Sequence, residues 1–405
     1  MLKRLFRPKH KDDPTSKDAL LNFKPRFFSP SPLVINQKFD LRHSIKKGHK
    51  GIKSLVFLND AEVSDLTYKD ARIFFKWITR LDSLRELEMN LKKDWRRRWS
   101  SKATEERLKI FLKKTQKISS LLRLKLTFES CENIPKRAFQ GFGRGLTRLS
   151  KLHLNFTRDS QINTEMLRNL AKSLSYQHSL VDLNFHSSKG LLTNNDRLIL
   201  FSRIKHLKLL RYLNLSLEEY LSQAEVKGLS KSLRSLENLR SFVLDMDHVS
   251  PQLQDFDIQE FYSSLKLVKK LSQFDLSIRI SNQLTRASMK TLLGHRESFK
   301  DSQDKSDIFK QLTRLTLKFY LEENISGNSN DLAEYFVDLP NLSVLNLAIY
   351  RTSNMAPQRI FSNLVWLKKL SKFRWSGSQL CEEELICLGD SLKKLELVEV
   401  DVELA

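Results

Sequence analysis

Histidine and cysteine are the residues of this 405-residue chain whose spacing could indicate catalysis or a metal centre. The three cysteines, Cys131, Cys381 and Cys387, have neither the CxxC pairs of a zinc site nor the even number of a disulfide framework. A low, odd count is typical of a reducing compartment. We therefore expect Cys381 and Cys387 to be buried free thiols on a helix, and the protein to be cytoplasmic, with the nucleus as the alternative location.

Two histidines, His153 and His186, are predicted on neighbouring strands, where they could share a metal or form a catalytic pair. Their positions differ by two residues along the strand, which places their backbones about 8 Å apart. The nearest carboxylate in the sequence is that of Asp182. We interpret both histidines as structural or contact residues.

Phosphate-binding and catalytic motifs are absent from the sequence. The chain contains no GxxxxGK[ST], HExxH or GxSxG sequence. The glycine-rich stretch GFGRG at 141–145 lacks the preceding strand of a nucleotide-binding loop, so it predicts a turn before Leu146. The sequence therefore predicts no catalytic residue, no cofactor and no metal, and we interpret the protein as a non-enzyme.

A short apolar pattern that recurs along the chain must position any site. Leu149, Leu152 and Leu154 form LxxLxL, Phe156 continues the alternation, and successive copies follow at steps of about thirty residues. Alternation predicts strands with one buried face, and the long connections predict parallel neighbours. A fixed period of this size predicts stacked units in a solenoid. The copies begin at Ile52, Leu84, Leu121, Leu149, Leu180, Leu210, Leu239, Leu271, Leu312, Leu342, Leu370 and Leu392.

The segments between the copies have helical patterns. Leu167, Leu170 and Leu174 recur at helical spacing, and Ser222 with Glu225 forms a capping-box sequence before a further apolar run. Neither the predicted strand nor the predicted helix of one unit can bury its apolar face alone. Each unit therefore needs its neighbours.

LxxLxL with a helix in each unit of about thirty residues resembles the leucine-rich repeats of ribonuclease-inhibitor type over about residues 50 to 400. The resemblance implies an α/β leucine-rich-repeat solenoid of about twelve degenerate repeats, curved, with a parallel concave β-sheet and convex helices. The asparagine that usually follows LxxLxL is mostly missing, since Arg158 and Gly377 fall near its place, and we expect irregular loops. The Phe-rich, Lys-rich repeats also resemble expanded repeat families of ciliate-type protists.

Residues 1–48 lack the repeat and are predicted to be a basic N-terminal arm or cap, with a targeting segment as the other possibility. Residues 49–405 are predicted to be the solenoid, with an atypical C-terminal end. No apolar run is long enough to span a bilayer. The net charge of +23 is uneven, because residues 1–130 hold 32 Lys+Arg against 15 Asp+Glu, whereas residues 131–405 hold 38 against 32.

Basic and aromatic residues interleave in one stretch of the N-terminal third. This pattern suits attraction to phosphates with base stacking, although a solvated loop whose tryptophans pack onto a neighbouring repeat is the interpretation that we favour. Binding of RNA or another polyanion here is the alternative function. Its residues are Lys92, Lys93, Trp95, Arg96, Arg97, Arg98 and Trp99.

The strand residues that alternate with the buried leucines should face solvent on the concave sheet. They are polar with little excess charge, which favours a protein or peptide over nucleic acid because a duplex backbone requires a basic track. We therefore predict a non-enzymatic protein–protein interaction module, with a substrate-recognition subunit of a larger complex as a further alternative. The oligomeric state stays open. The predicted partner-binding residues are His153, Asn155, Asn184, His186, Asn214, Ser216, Asp245 and Asp275.

Overall fold

The computed structural model of the protein divides into two compact units, Met1–Leu180 and Val181–Ala405. Each unit consists of parallel strands connected through helices or turns. The described residues are 33–35, 52–57, 76–92, 110–129, 139–140, 142–157, 164–188, 191–218, 221–246, 255–280, 308–321, 336, 339–351, 357–377, 380–395 and 399–404.

Five strands are described in the first unit, each paired in parallel with the next along the chain. Residues 76–78 and 110–115 are helical, and two further helices are described. The strands are β1 (Leu33–Ile35), β2 (Ser54–Phe57), β3 (Glu86–Lys92), β4 (Arg123–Glu129) and β5 (Lys151–Thr157). The helices are α1 (Phe142–Gly145) and α2 (Thr164–Leu174).

The described part of the second unit has eight strands in sequence order, β6 (Asp182–Ser187), β7 (Tyr212–Leu217), β8 (Ser241–Met246), β9 (Gln273–Ile280), β10 (Arg314–Leu321), β11 (Val344–Arg351), β12 (Lys372–Gly377) and β13 (Glu399–Leu404). Its described helices are α3 (Asn194–Ile204), α4 (Gln223–Leu233), α5 (Asp255–Lys266), α6 (Gln358–Asn363) and α7 (Glu382–Lys393). Two 3₁₀ turns, Ile308–Gln311 and Leu364–Trp366, precede β10 and β12.

The repeat pattern predicts the core correctly. Leu183 and Leu213 are register partners on β6 and β7, and both are almost completely buried. Leu152 on β5 and Leu345 on β11 have no exposed area. Helices α3, α4 and α5 pack successively against one another behind their strands. The predicted α/β leucine-rich-repeat architecture with parallel strands is confirmed.

The last predicted copy of the repeat is wrong. Leu392 lies in α7 rather than at the entry to a strand, and β13 begins only at Glu399. Val400 and Val402 pair with Phe373 and Trp375, so they occupy the two inner apolar positions of the final copy. The valine-rich tail alternates over many residues, so its sequence allows two different starting positions for the last copy of the repeat.

Strand β1 lies inside the segment 1–48, for which the sequence predicts an arm or cap, and pairs with β2. The remainder of that segment is outside the described residues. The boundary between an N-terminal arm and the repeats stays a prediction.

A hydroxyl ladder connects successive repeats at the entry to the strands. Each Ser or Thr side chain donates to the backbone carbonyl oxygen of its counterpart in the preceding repeat, at 3.0–3.2 Å. The carbonyl also accepts backbone N–H groups of the following repeat. This ladder satisfies backbone groups at a sharp chain turn. Its successive donors are Ser272, Thr313, Ser343 and Ser371.

Two glycines are required by close backbone approach. A Cβ atom at Gly377, at the end of β12, would lie 2.3 Å from the carbonyl oxygen of Ile349 on β11. A Cβ at Gly145 would lie 2.2 Å from the carbonyl oxygen of Gln116. Gly145 ends the short helix α1, so the turn predicted for GFGRG is instead a four-residue helix. Arg158, which like Gly377 falls near the place of the asparagine that usually follows LxxLxL, is outside the described residues.

Candidate functional site

Alternate side chains of β6–β9 point away from the buried leucines, and the parallel register aligns them in three rows across the strands. We call this surface the polar strand face. The first row is Asp182, Tyr212, Ser241 and Gln273, the second is Asn184, Asn214, Val243 and Asp275, and the third is His186, Ser216, Asp245 and Ser277. Six of the eight predicted partner-binding residues belong to it.

A hydrogen-bond chain runs across the third row. The Ser216 hydroxyl donates to Asp245 Oδ2 at 3.2 Å, and His186 Nδ1 lies 2.9 Å from Ser216 Oγ. Since the hydroxyl has one proton, which it gives to Asp245, the imidazole Nδ1 must be the donor to Ser216. His186 Nε2 lies 3.7 Å from Glu218 Oε1. Ser216 is therefore not arranged as a nucleophile, because its neighbouring imidazole does not accept its proton.

Two acceptor oxygens of the second row are shielded from solvent and have no hydrogen-bond partner among the described residues. They are Asn214 Oδ1 and Asp275 Oδ1. Burial raises the pKa of Asp275 above its ordinary value, against the lowering effects of the Thr316 hydrogen bond and of Arg314 and Lys318. A desolvated carboxylate that keeps an unused oxygen has unfavourable electrostatics in the free chain.

The charge of the polar strand face is opposite to that of the chain. Its twelve positions include three aspartates and neither lysine nor arginine, in a protein of net charge +23. The adjoining strand β10 brings Arg314 and Lys318 to the corresponding outward positions. Because the twelve positions themselves carry only acids among their lysine, arginine, aspartate and glutamate residues, the face can attract a cationic group over Asp245 and Asp275.

The two remaining predicted partner-binding residues, His153 and Asn155, lie in the first unit on β5. They align there with Lys125 and Thr127 of β4. Asn155 Oδ1 is buried and has no hydrogen-bond partner among the described residues. The preceding strands carry charge in ion pairs, including one of 2.7 Å between Lys125 Nζ and Glu88 Oε1.

The predicted polyanion-binding residues lie mostly outside the described residues. Lys92 ends β3. Lys93, Trp95, Arg96, Arg97, Arg98 and Trp99 belong to the part of the chain that the structure does not describe. Polyanion binding through this stretch stays a prediction.

The cysteines differ from the sequence-based expectation. Cys381 is an exposed free thiol at the N-cap of α7, so its predicted burial is wrong. Cys387 is a partly buried free thiol, and its Sγ lies 3.3 Å from the backbone oxygen of Gln358. Cys131 is outside the described residues. Within the described ranges, no cluster of three or more His, Cys, Asp or Glu side chains could hold a metal ion.

Sequence reasoning missed two features of the second unit. Glu218 follows β7 by one residue and reaches His186, although no local pattern in the sequence indicates this contact. Behind the sheet, Arg197 of α3 forms a buried ion pair with Glu225 of α4. The Ser222–Glu225 capping box was recognisable, whereas its arginine partner comes from the preceding repeat.

The comparisons with known proteins concern the fold. No family model and no curated protein matches the sequence. Among solved structures, the leucine-rich repeat-containing protein LegL7 from Legionella pneumophila is similar at 13% sequence identity with a TM-score of 0.40, over 78% of this chain and 91% of that chain. Among the described residues, no helix is long and apolar enough to cross a membrane.

Proposed function

We propose that the protein is a non-enzymatic interaction module that binds a protein or peptide segment on the polar strand face. The observation that carries the proposal is the pair of unsatisfied acceptors, Asn214 Oδ1 and Asp275 Oδ1. Both residues are only partly buried, and a rotation of each side chain would expose its oxygen to a peptide, which supplies donors through backbone N–H groups or through lysine and arginine side chains. The predicted contact residues of this face are Asn184, His186, Asn214, Ser216, Asp245 and Asp275.

The spacing of the two acceptors fits an extended peptide. Asn214 and Asp275 are two strands apart, with Val243 between them. Two strand spacings are about 10 Å, the length that three residues of an extended chain span. An extended segment that crosses the strands could therefore donate to both acceptors and pack an apolar side chain on Val243. His153 and Asn155 are proposed as partner contacts on the first unit.

The raised pKa of Asp275 further supports recognition of a cation. Desolvation, the largest cause of the shift, outweighs the favourable effects of the Thr316 hydrogen bond and of Arg314 and Lys318 in the free chain. A lysine or arginine of the partner would lower the pKa of Asp275 again. Binding should then strengthen as the pH rises through the raised pKa, because the ionised carboxylate is the form that holds the cation.

Peptides selected by display on the full chain, then measured by fluorescence anisotropy, test the proposal. The selected peptides should carry Lys or Arg, and the double variant Asp245→Asn/Asp275→Asn should bind them at least about tenfold more weakly. The matched control, Glu382→Gln/Glu383→Gln, removes two exposed acids of α7 and should bind normally. Peptides without basic residues, or unchanged binding by the first variant, would contradict the proposal.

We further propose that the repeats are of the ribonuclease-inhibitor type and resemble degenerate protist repeats. The helices α3, α4 and α5, of 11 or 12 residues each, support this subtype. A cytoplasmic location, with the nucleus as the alternative, is proposed from the low cysteine count. The two free thiols at Cys381 and Cys387 agree with a reducing compartment.

A further inference from the structure

Basic residues of the second unit are concentrated where its helices end and its strands begin. We call this surface the basic edge. Its six segments hold thirteen Lys or Arg residues and a single acid, Glu237. Eleven of the thirteen are exposed. The segments are 205–211, 234–240, 266–272, 310–314, 339–343 and 366–372.

The six segments form one continuous surface because all strands of the unit are parallel. Their entry ends therefore lie at the same edge of the sheet. Backbone hydrogen bonds connect the segments in order, from Arg240 N to the Arg211 oxygen at 2.8 Å up to Ser371 N to the Ser343 oxygen at 2.9 Å. Five of the six segments carry cations, and the contacts between successive segments bring these cations together along the edge, with a gap at 339–343, which carries none.

This concentration is hidden in the average charge. Residues 131–405 hold 38 Lys+Arg against 32 Asp+Glu. Without the basic edge, the same part of the chain would hold 25 against 31. The edge is therefore strongly positive, whereas the remainder of this part of the chain is net negative. Positive charge in this part of the chain is therefore concentrated at the basic edge rather than spread over its whole surface.

Stabilisation of helix ends explains only part of the edge. Cations in the last turn of a helix interact favourably with its dipole. Lys205 and Arg234 occupy the C-caps of α3 and α4, and Lys266 ends α5. Of the other ten basic residues, Lys310 lies in the 3₁₀ turn before β10, and nine lie beyond a helix or turn, up to the first residue of a strand.

Neutral oxygens hold several of these ammonium groups along the edge. Lys270 Nζ donates to Asn238 Oδ1 at 2.7 Å, and Lys369 Nζ donates to Asn341 Oδ1 at 2.6 Å. Lys208 Nζ donates to the backbone oxygen of Ser235 at 3.2 Å. These three contacts fix the position of a charge without neutralising it, so its field remains available to an anionic partner, whereas Lys372 and Arg234 are in ion pairs with Glu399 and Glu260.

Exposed apolar side chains protrude from the same segments. Leu209, Leu267 and Trp366 are 50%, 55% and 52% exposed, each within two residues of an edge lysine. Leucine and tryptophan enter the boundary between lipid headgroups and acyl chains, while adjacent lysines attract anionic headgroups. Stacking on nucleic-acid bases requires aromatic rings, and two of these three side chains are leucines.

We propose that the basic edge docks the protein peripherally on an anionic lipid surface. Leu209, Leu267 and Trp366 enter the headgroup boundary, and the surrounding lysines and arginines bind lipid phosphates. This site is separate from the polar strand face, so a membrane-docked chain can still present that face to a peptide. The proposal does not depend on the identity of the peptide.

Flotation of the full chain with vesicles tests the proposal. The chain should float with vesicles that contain about 30% phosphatidylserine and should remain behind with phosphatidylcholine alone. Each cation near an anionic surface raises the partition coefficient about fivefold. The edge variant Lys205→Gln/Arg211→Gln/Lys269→Gln/Lys368→Gln should therefore bind at least about tenfold more weakly.

Two further variants separate edge binding from non-specific charge attraction. The control Arg168→Gln/Lys172→Gln/Lys318→Gln/Arg359→Gln removes four exposed cations elsewhere and should float normally. The variant Leu209→Ser/Leu267→Ser keeps every charge and should be released from the vesicles at lower salt than the native chain. Circular-dichroism melting curves that match the native chain establish that each variant is folded.

Three results would overturn the proposal. The first is flotation of the native chain with both vesicle types or with neither. The second is an edge variant that floats like the control, which would assign attraction to other basic regions such as residues 1–130. The third is tight binding to polyuridine RNA together with absent vesicle binding, both sensitive to the edge variant, because the edge would then be a nucleic-acid surface.

Discussion

Replacement of Arg197 by Met should destabilise the second unit, because it leaves a buried carboxylate without its cation. The side chains of Arg197 and Glu225 are 3% and 0% exposed. Arg197 also donates to the Leu192 backbone oxygen at 3.0 Å and to Asn194 Oδ1 at 2.7 Å. Removal of one partner of a buried ion pair typically costs about 3–5 kcal/mol.

The expected cost of Arg197→Met lies near the lower end of that range, at about 3 kcal/mol. Glu225 keeps two other bonds, from the backbone N–H and the hydroxyl of Ser222, each 2.6 Å long. The methionine side chain fills much of the volume of the arginine stem. The remaining loss comes chiefly from the unpaired carboxylate.

A double-mutant cycle measures this effect. Urea unfolding of the full chain should give a large loss for Arg197→Met and for Glu225→Gln, and a much smaller loss for the double variant. Glutamine retains an acceptor for the Ser222 N–H and removes the buried charge. A loss below about 1 kcal/mol for Arg197→Met, or additivity in the cycle, would refute the reasoning.

Three further predictions concern single sites. Leu213→Ala should lower the free energy of unfolding by about 2–5 kcal/mol in urea titrations, because it opens a cavity in the core. Gly377→Ala should lower the melting temperature, since its Cβ would lie 2.3 Å from the Ile349 oxygen, whereas the control Gly389→Ala in α7 meets nothing within 4 Å and should be neutral or stabilising. Asp275→Asn should raise stability at neutral pH, and the gain should vanish as the pH falls below the ordinary carboxyl value of 3.8, because the native side chain is then neutral in both the folded and unfolded chains.

The sequence predicts those parts of the fold that depend on local periodicity. Leu152, Leu183, Leu213 and Leu345 could be assigned to buried strand positions because LxxLxL alternates in each copy. The rows of the polar strand face followed from the same rule, since Asn184 and Asn214 occupy the same position in successive copies. Local periodicity does not determine which of these side chains bind a partner.

Features that depend on contacts between repeats could not be predicted from the sequence. Arg197 is one polar residue in a helix, and only packing of α3 against α4 places it beside Glu225. The sequence predicts little excess charge on the strand face, because the prediction takes the outward positions of all the repeats together. The structure groups Asp245 and Asp275 on neighbouring strands, among twelve positions of β6–β9 that contain no base, and places Arg314 and Lys318 beside them on β10.

A solenoid converts a preference at one repeat position into a surface property of the whole unit. A lysine or arginine after a helix is unremarkable in a single repeat, but parallel stacking places those of successive repeats along one edge. The absence of lysine and arginine from three outward positions of one strand is equally inconspicuous. Repeated across β6–β9, it produces a face without basic residues. The basic edge suits an anionic partner and the polar strand face a cationic one, so the net charge of the chain predicts neither kind of partner. Anions should approach the second unit at the strand entries and cations on the strand face between β6 and β9, a separation that allows both kinds of partner to bind at once.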